Sequence, residues 1–123
     1  MNIIAIIPAR GGSKGLPRKN VLQFNSEPLV VHSIDFAKEC SLVNTVYVST
    51  NDDEIASISS DSGAAIIQRP LELSGDSATT ESAIEHVLST LTVKPDIIIL
   101  LQATSPFRPK NSLKVALDKF IQN

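Results

Sequence analysis

Two stretches of this chain are apolar at every position, Ile3-Ile4-Ala5-Ile6-Ile7 near its start and Ile97-Ile98-Ile99-Leu100-Leu101 towards its end. A strand with one face in water alternates polar with apolar residues. An unbroken apolar run therefore belongs to a sheet covered on both faces, the usual setting of parallel strands. The two runs predict strands over Asn2–Pro8 and Asp96–Gln102, the second expected to be central because both of its faces are apolar. Thr45-Val46-Tyr47-Val48-Ser49-Thr50 is rich in β-branched residues and reads as another strand, and Ala64 to Gln68 as a shorter one.

Helical signals fill the intervals. Between Pro28 and Cys40, Val30, Ile34 and Ala37 recur at i, i+4 and i+7. Asn51 or Asp52 caps a helix carrying Ile55 and Ile58, with Gly63 as its stop. Thr79 or Thr80 caps the next, with Ile84, Val87, Leu88 and Leu91 on one face. Asn111 or Ser112 opens a last helix whose Leu113, Ala116, Leu117 and Phe120 are expected to point inward. The order βαβαβαβα predicts an α/β fold, a Rossmann-like three-layer α/β/α arrangement on a mainly parallel sheet. In such sheets ligands bind beyond the carboxyl ends of the strands, at the point where strand order reverses. Strand order 3-2-1-4 sets the loop after the first strand beside Gln102-Ala103-Thr104-Ser105, with the loop over 69–80 as a third wall.

The loop after the first strand is the chemically suggestive one. Ile7-Pro8-Ala9-Arg10-Gly11-Gly12-Ser13-Lys14-Gly15-Leu16-Pro17-Arg18-Lys19-Asn20 holds three glycines and four cations, and no acid occurs before Glu27. Glycines let backbone amides approach a ligand, and an anion with several charges, such as a polyphosphate, suits amides and cations together. A plain turn with solvated cations is the competing reading. The spacing is neither that of a P-loop nor that of a dinucleotide fingerprint.

Charge distribution sharpens this. The chain has 11 basic and 13 acidic residues, so beyond the four early cations 7 bases face 13 acids. A basic face over the whole domain, as nucleic-acid binding requires, is not indicated; a local anion site is. With 123 residues and 42% hydrophobic content, the chain suffices for one domain. No apolar run approaches the length of a membrane span. One cysteine, Cys40, and no signal peptide make a cytoplasmic setting the expectation.

At these loops the sequence resembles the N-acylneuraminate cytidylyltransferases, or CMP-sialic acid synthetases. The matching pieces are Ile6 to Asn20, Ser49-Thr50-Asn51-Asp52, Arg69-Pro70 with Gly75-Asp76, and Leu100-Leu101-Gln102-Ala103-Thr104-Ser105-Pro106. The resemblance implies transfer of a cytidylyl group from CTP to the anomeric hydroxyl of an acidic nine-carbon sugar, with Mg²⁺ and release of pyrophosphate. Arg10 and the amides of Gly11, Gly12 and Ser13 would hold the phosphate tail, with Lys14 or Arg18 assisting. Lys19 would stabilise charge developing around the α-phosphate, so Lys19 and Arg10 are the catalytic candidates. By the same resemblance Asn20 binds the nucleotide, Arg69, Ala78 and Thr80 line the cytosine pocket, and Gln102 meets the sugar. Ser105 and, more weakly, Arg108 are further candidates on the sugar side.

The resemblance covers the nucleotide-binding half of the family's domain. The acidic pair expected to bind Mg²⁺ and the segment expected to make a homodimer belong to a second half, which makes this chain an apparently truncated form with little or no turnover. Related cytidylyltransferases for pseudaminic, legionaminic or other keto-sugar acids remain open, as does a non-catalytic CTP-binding module. His32 and His86 read as helix residues without a ligand partner at metal spacing. Asp52-Asp53-Glu54 reads as a helix N-terminus, and Cys40 as inert.

Overall fold

A computed structural model describes residues 1–9, 23–24, 27–69, 80–102 and 112–122. The elements run β1 (Ile3–Pro8), β2 (Gln23–Phe24), β3 (Glu27–Pro28), α1 (Leu29–Glu39), β4 (Thr45–Thr50), α2 (Asp53–Asp61), β5 (Ala65–Gln68), α3 (Thr80–Thr90), β6 (Ile97–Leu100) and α4 (Ser112–Gln122). Strands β5-β4-β1-β6 form a parallel sheet in that order, the arrangement expected from the sequence, while β2 and β3 pair as a small antiparallel ribbon.

The pleat of β1 sorts the core. Ala5 and Ile7 point to one face and pack with Val30, Ile34 and Ala37 of α1, Ile55 of α2, and Val46 and Val48 of β4. Ile3, on the same face, meets Cys40, Leu117 of α4 and Leu113. Ile4 and Ile6 point the other way and meet Val87, Ile84 and Leu91, with Tyr47 and Ile67 beside them. The three layers follow from that alternation.

Side chains tie down the amino end of the sheet. The Ile3 amide donates to Asn44 Oδ1 at 2.7 Å and the Asn2 amide to Asp96 Oδ2. Asp52 caps α2: its Oδ1 accepts from the Ile55 amide at 2.9 Å, and Asp53 and Glu54 occupy the first turn, where the helix dipole favours acids. Gly63, at φ +94°, terminates that helix in the left-handed region.

Two expectations are corrected. Strand β6 lies at an edge of the described sheet, and Ile98 and Leu100 are each 38% exposed. Apolar residues on both faces report how the faces are covered, and say nothing of whether both edges are paired; α3 covers Ile4 and Ile6 of β1 and leaves the same face of β6 partly open. In α4 only Leu117 is buried and Leu113 half-buried, while Ala116 is exposed and Phe120 is 66% exposed. That helix, about three turns long, rests on the rim formed by Ile3, Cys40 and Ile97, which accommodates one short stripe and not contact along its whole length.

Candidate functional site

The carboxyl ends of the four parallel strands share one edge of the sheet. Strand β1 is the switch point: the chain passes from it to β4 and β5 on one side and returns to β6 on the other. The ladders run one residue beyond the strands. The Ala9 amide donates to Ser49 O at 2.9 Å, the Arg69 amide to Thr50 O at 2.8 Å, and the Leu101 amide to Ile6 O at 3.1 Å. These contacts place Ala9, Arg69 and Leu101-Gln102, the residues that lead into the three loops read from sequence, along the same edge.

Arg69 is the best-defined member of the site. It is 5% exposed. Its Nε donates to Ser49 Oγ and its Nη2 to Ser49 O, both at 3.1 Å. The register Ser49↔Ile67 puts β5 directly beside Ser49, and period-2 alternation carries Ala65, Ile67 and Arg69 along one face. Burial distinguishes Arg69 from a solvated surface-loop arginine. Two further buried hydroxyl residues adjoin, Ser49 and Thr50; Thr50 Oγ1 accepts from the Asp52 amide at 3.1 Å, shaping the turn into α2.

On the other side of β1, Ser33 of α1 donates through Oγ to Gln102 O at 3.2 Å, so the backbone of Gln102 is held while the residue is exposed. Thr80 opens α3. Arg10, Gly11, Gly12, Ser13, Lys14, Arg18, Lys19, Asn20, Ala78, Ser105 and Arg108 lie outside the described residues. The part of the site shown here is thus the two flanks and the root of the cationic loop. Among the described residues, no three His, Cys, Asp or Glu side chains gather as a metal group.

A family model described as Cytidylyltransferase matches residues 4–123. The chain belongs to the cytidylyltransferase family. The chain is 39% identical over 127 aligned residues to a pseudaminic acid cytidylyltransferase of Campylobacter jejuni, covering all of this chain and 55% of that protein. It is 42% identical over 106 residues to an N-acylneuraminate cytidylyltransferase of Escherichia coli, covering 86% of this chain and 25% of that protein. In three dimensions it is similar to CMP:2-keto-3-deoxy-manno-octonic acid synthetase complexed with CTP, at TM-score 0.85 and 24% identity, over 100% of this chain and 48% of that one. The chain therefore spans about half the length or less of these proteins. No helix among the described residues is long and apolar enough to cross a membrane.

Ser49 is the residue of this edge that sequence reasoning passed over. It was visible only as the end of a strand and as part of a matching tetrapeptide. A serine completing a β-branched run that must be buried was the signal available, since a buried hydroxyl requires a partner; its partner lies 20 residues away in sequence.

Proposed function

We propose that this chain is the nucleotide-binding half of an enzyme that transfers CMP from CTP to an acidic keto sugar of the sialic acid type. The anomeric hydroxyl oxygen attacks the α-phosphorus and loses its proton, the bond to the β-phosphate breaks, and pyrophosphate leaves. The observation that carries this is the cytidylyltransferase match over 4–123 on a fold whose switch point brings the cationic loop's root beside a buried arginine.

In this reading Arg10, Lys19 and the amides from Gly11 to Ser13 meet the triphosphate, with Lys14 assisting. Such a step is governed by positioning and by stabilising charge that develops on phosphate oxygens. Asn20, Arg69, Ala78 and Thr80 address the nucleoside, and Gln102 and Ser105 the sugar. Mg²⁺ is the expected metal, and the described residues do not offer it a donor set. A homodimer and a cytoplasmic setting complete the reading.

The test is calorimetric titration of the chain with CTP, ATP, GTP and UTP, for wild type and Lys19→Ala. CTP is expected to bind tightest. A charge-assisted hydrogen bond contributes about 1.5–3 kcal/mol, so Lys19→Ala should weaken CTP by roughly tenfold or more. Equal binding of all four nucleotides would remove the cytosine assignment. The identity to the pseudaminic acid relative favours a second reading in which the acceptor is pseudaminic acid or, by extension, legionaminic acid. Pyrophosphate release with a panel of these acids separates it from the first.

A further inference from the structure

We propose that Ser33 of α1 is a positioning residue for Gln102, a role it takes because Pro8 ends the ladder between β1 and β6. The proposal rests on the reading in which Gln102 meets the acidic sugar. It deepens that reading by naming what fastens the sugar side of the site separately from the nucleotide side.

The backbone groups of a strand inside a sheet point by turns to its two neighbours. Along β1 this alternation is fixed on both flanks. The Ile6 carbonyl accepts from the Leu101 amide at 3.1 Å, in the register Ile6↔Leu100, so the even-numbered residues face β6. The Ala9 amide donates to Ser49 O at 2.9 Å, in the register Pro8↔Ser49, so the odd-numbered residues face β4. The next bond towards β6 would run from residue 8 to the carbonyl of Leu101. Proline has no N–H to give. Strand β1 therefore stays bonded to β4 through Ala9 but parts from β6 after Ile6.

Gln102 lies just past that parting. Its carbonyl accepts from Ser33 Oγ at 3.2 Å. Ser33 is fully buried, on a helix whose Val30, Ile34 and Ala37 pack with Ala5, Ile7 and Leu101. The hold on Gln102 comes from the helix layer, anchored in the core, where Pro8 offers no donor. Gln102 itself is exposed at the carboxyl edge. Ala9 and Arg69 are bonded to β4, on the nucleotide side, whereas Gln102 is fastened to α1. Removing the Ser33 hydroxyl should then disturb what Gln102 meets and spare the nucleotide.

The test is NMR on the 123-residue chain, following the Gln102 carbonyl carbon, with thermal unfolding as a control. It is joined to titrations with CTP and, in the presence of CTP, with N-acetylneuraminic, pseudaminic and legionaminic acids. In Ser33→Ala, a change that suits a helix, the Gln102 carbonyl carbon should shift. Affinity for the preferred acid should fall about threefold to tenfold, one hydrogen bond's worth, and affinity for CTP should stay within about twofold. Pro8→Ala returns an amide facing the Leu101 carbonyl. That amide should exchange slowly, and in its presence Ser33→Ala should shift the Gln102 carbonyl less. A Ser33→Ala protein that only melts earlier, with the Gln102 carbonyl unmoved, overturns the proposal. So does a loss of CTP affinity as large as the loss for the acid, or an equal carbonyl shift with and without Pro8. If wild type responds to none of these acids, the sugar reading of Gln102 falls; a carbonyl shift that shrinks in Pro8→Ala then leaves the hold of Ser33 on Gln102 standing.

Discussion

Gly63 shows how much one residue can be constrained by a neighbouring helix. Its φ of +94° lies in the region that side chains rarely adopt, and an added Cβ would fall on the Lys38 ammonium. That ammonium donates to Ser62 O at 3.2 Å, next to the end of α2, where the last turn has no basic residue of its own and a cation is favourable. Gly63→Ala should destabilise the chain by about 1–2 kcal/mol through the backbone term. The lysine is exposed and can move aside, so its displacement adds little. Urea unfolding checks this. A loss near zero would show that the turn relaxes to negative φ. The glycine stop was legible in sequence because only a few residues end a helix in this way; the lysine was not, since it reaches in from another helix.

At the scale of elements, α4 separates packing from pattern. Leu117 is 4% exposed and Phe120 66%. Leu117→Ala should cost about 2–3 kcal/mol, within the range for buried leucines and near its lower end at this rim. Phe120→Ser should change stability by less than about 0.5 kcal/mol. Comparable effects in urea unfolding would mean that α4 packs over more of its length than the described contacts imply. The periodicity that located this helix placed Ala116 and Phe120 on its inner face. A hydrophobic stripe states which side faces the core, but the reach of the core beneath it depends on the neighbours: here Ile3, Cys40, Leu42 and Ile97. For α1 the same reasoning held, because Val30, Ile34 and Ala37 lie over the middle of the sheet. Among the candidate residues, Arg69 was legible as a chemical type at the end of a strand. Its burial and its hydrogen bonds to Ser49 were not, because Ser49 is adjacent only across a strand pair.

For the whole molecule, strand order governs stability. Among the described strands β1 and β4 have neighbours on both sides, and β5 and β6 on one. Opening β1 disrupts two ladders and uncovers Ile4, Ile6 and Ile7, all fully buried. Amides of Ile4 to Ile7 should therefore exchange slowest, close to the global unfolding limit, and those of β5 and β6 markedly faster. Hydrogen exchange by NMR measures this; uniform protection across the four strands would contradict it. The strand order was legible because alternation of strands and helices admits few connections. The half-open face of β6 was hidden, since Ile98 and Leu100 carry no mark that tells a covered face from a half-covered one.

The two ends of the sheet are built differently, and this bears on how such a protein can change over evolutionary time. Asn44 and Asp96 fasten the amino end with their own side chains, at the opposite end of the strands from Ala9, Arg69 and Leu101. On the proposed function, the opposite rim can therefore be rewritten residue by residue, for a new acceptor molecule, while the foundation beneath it keeps its footing.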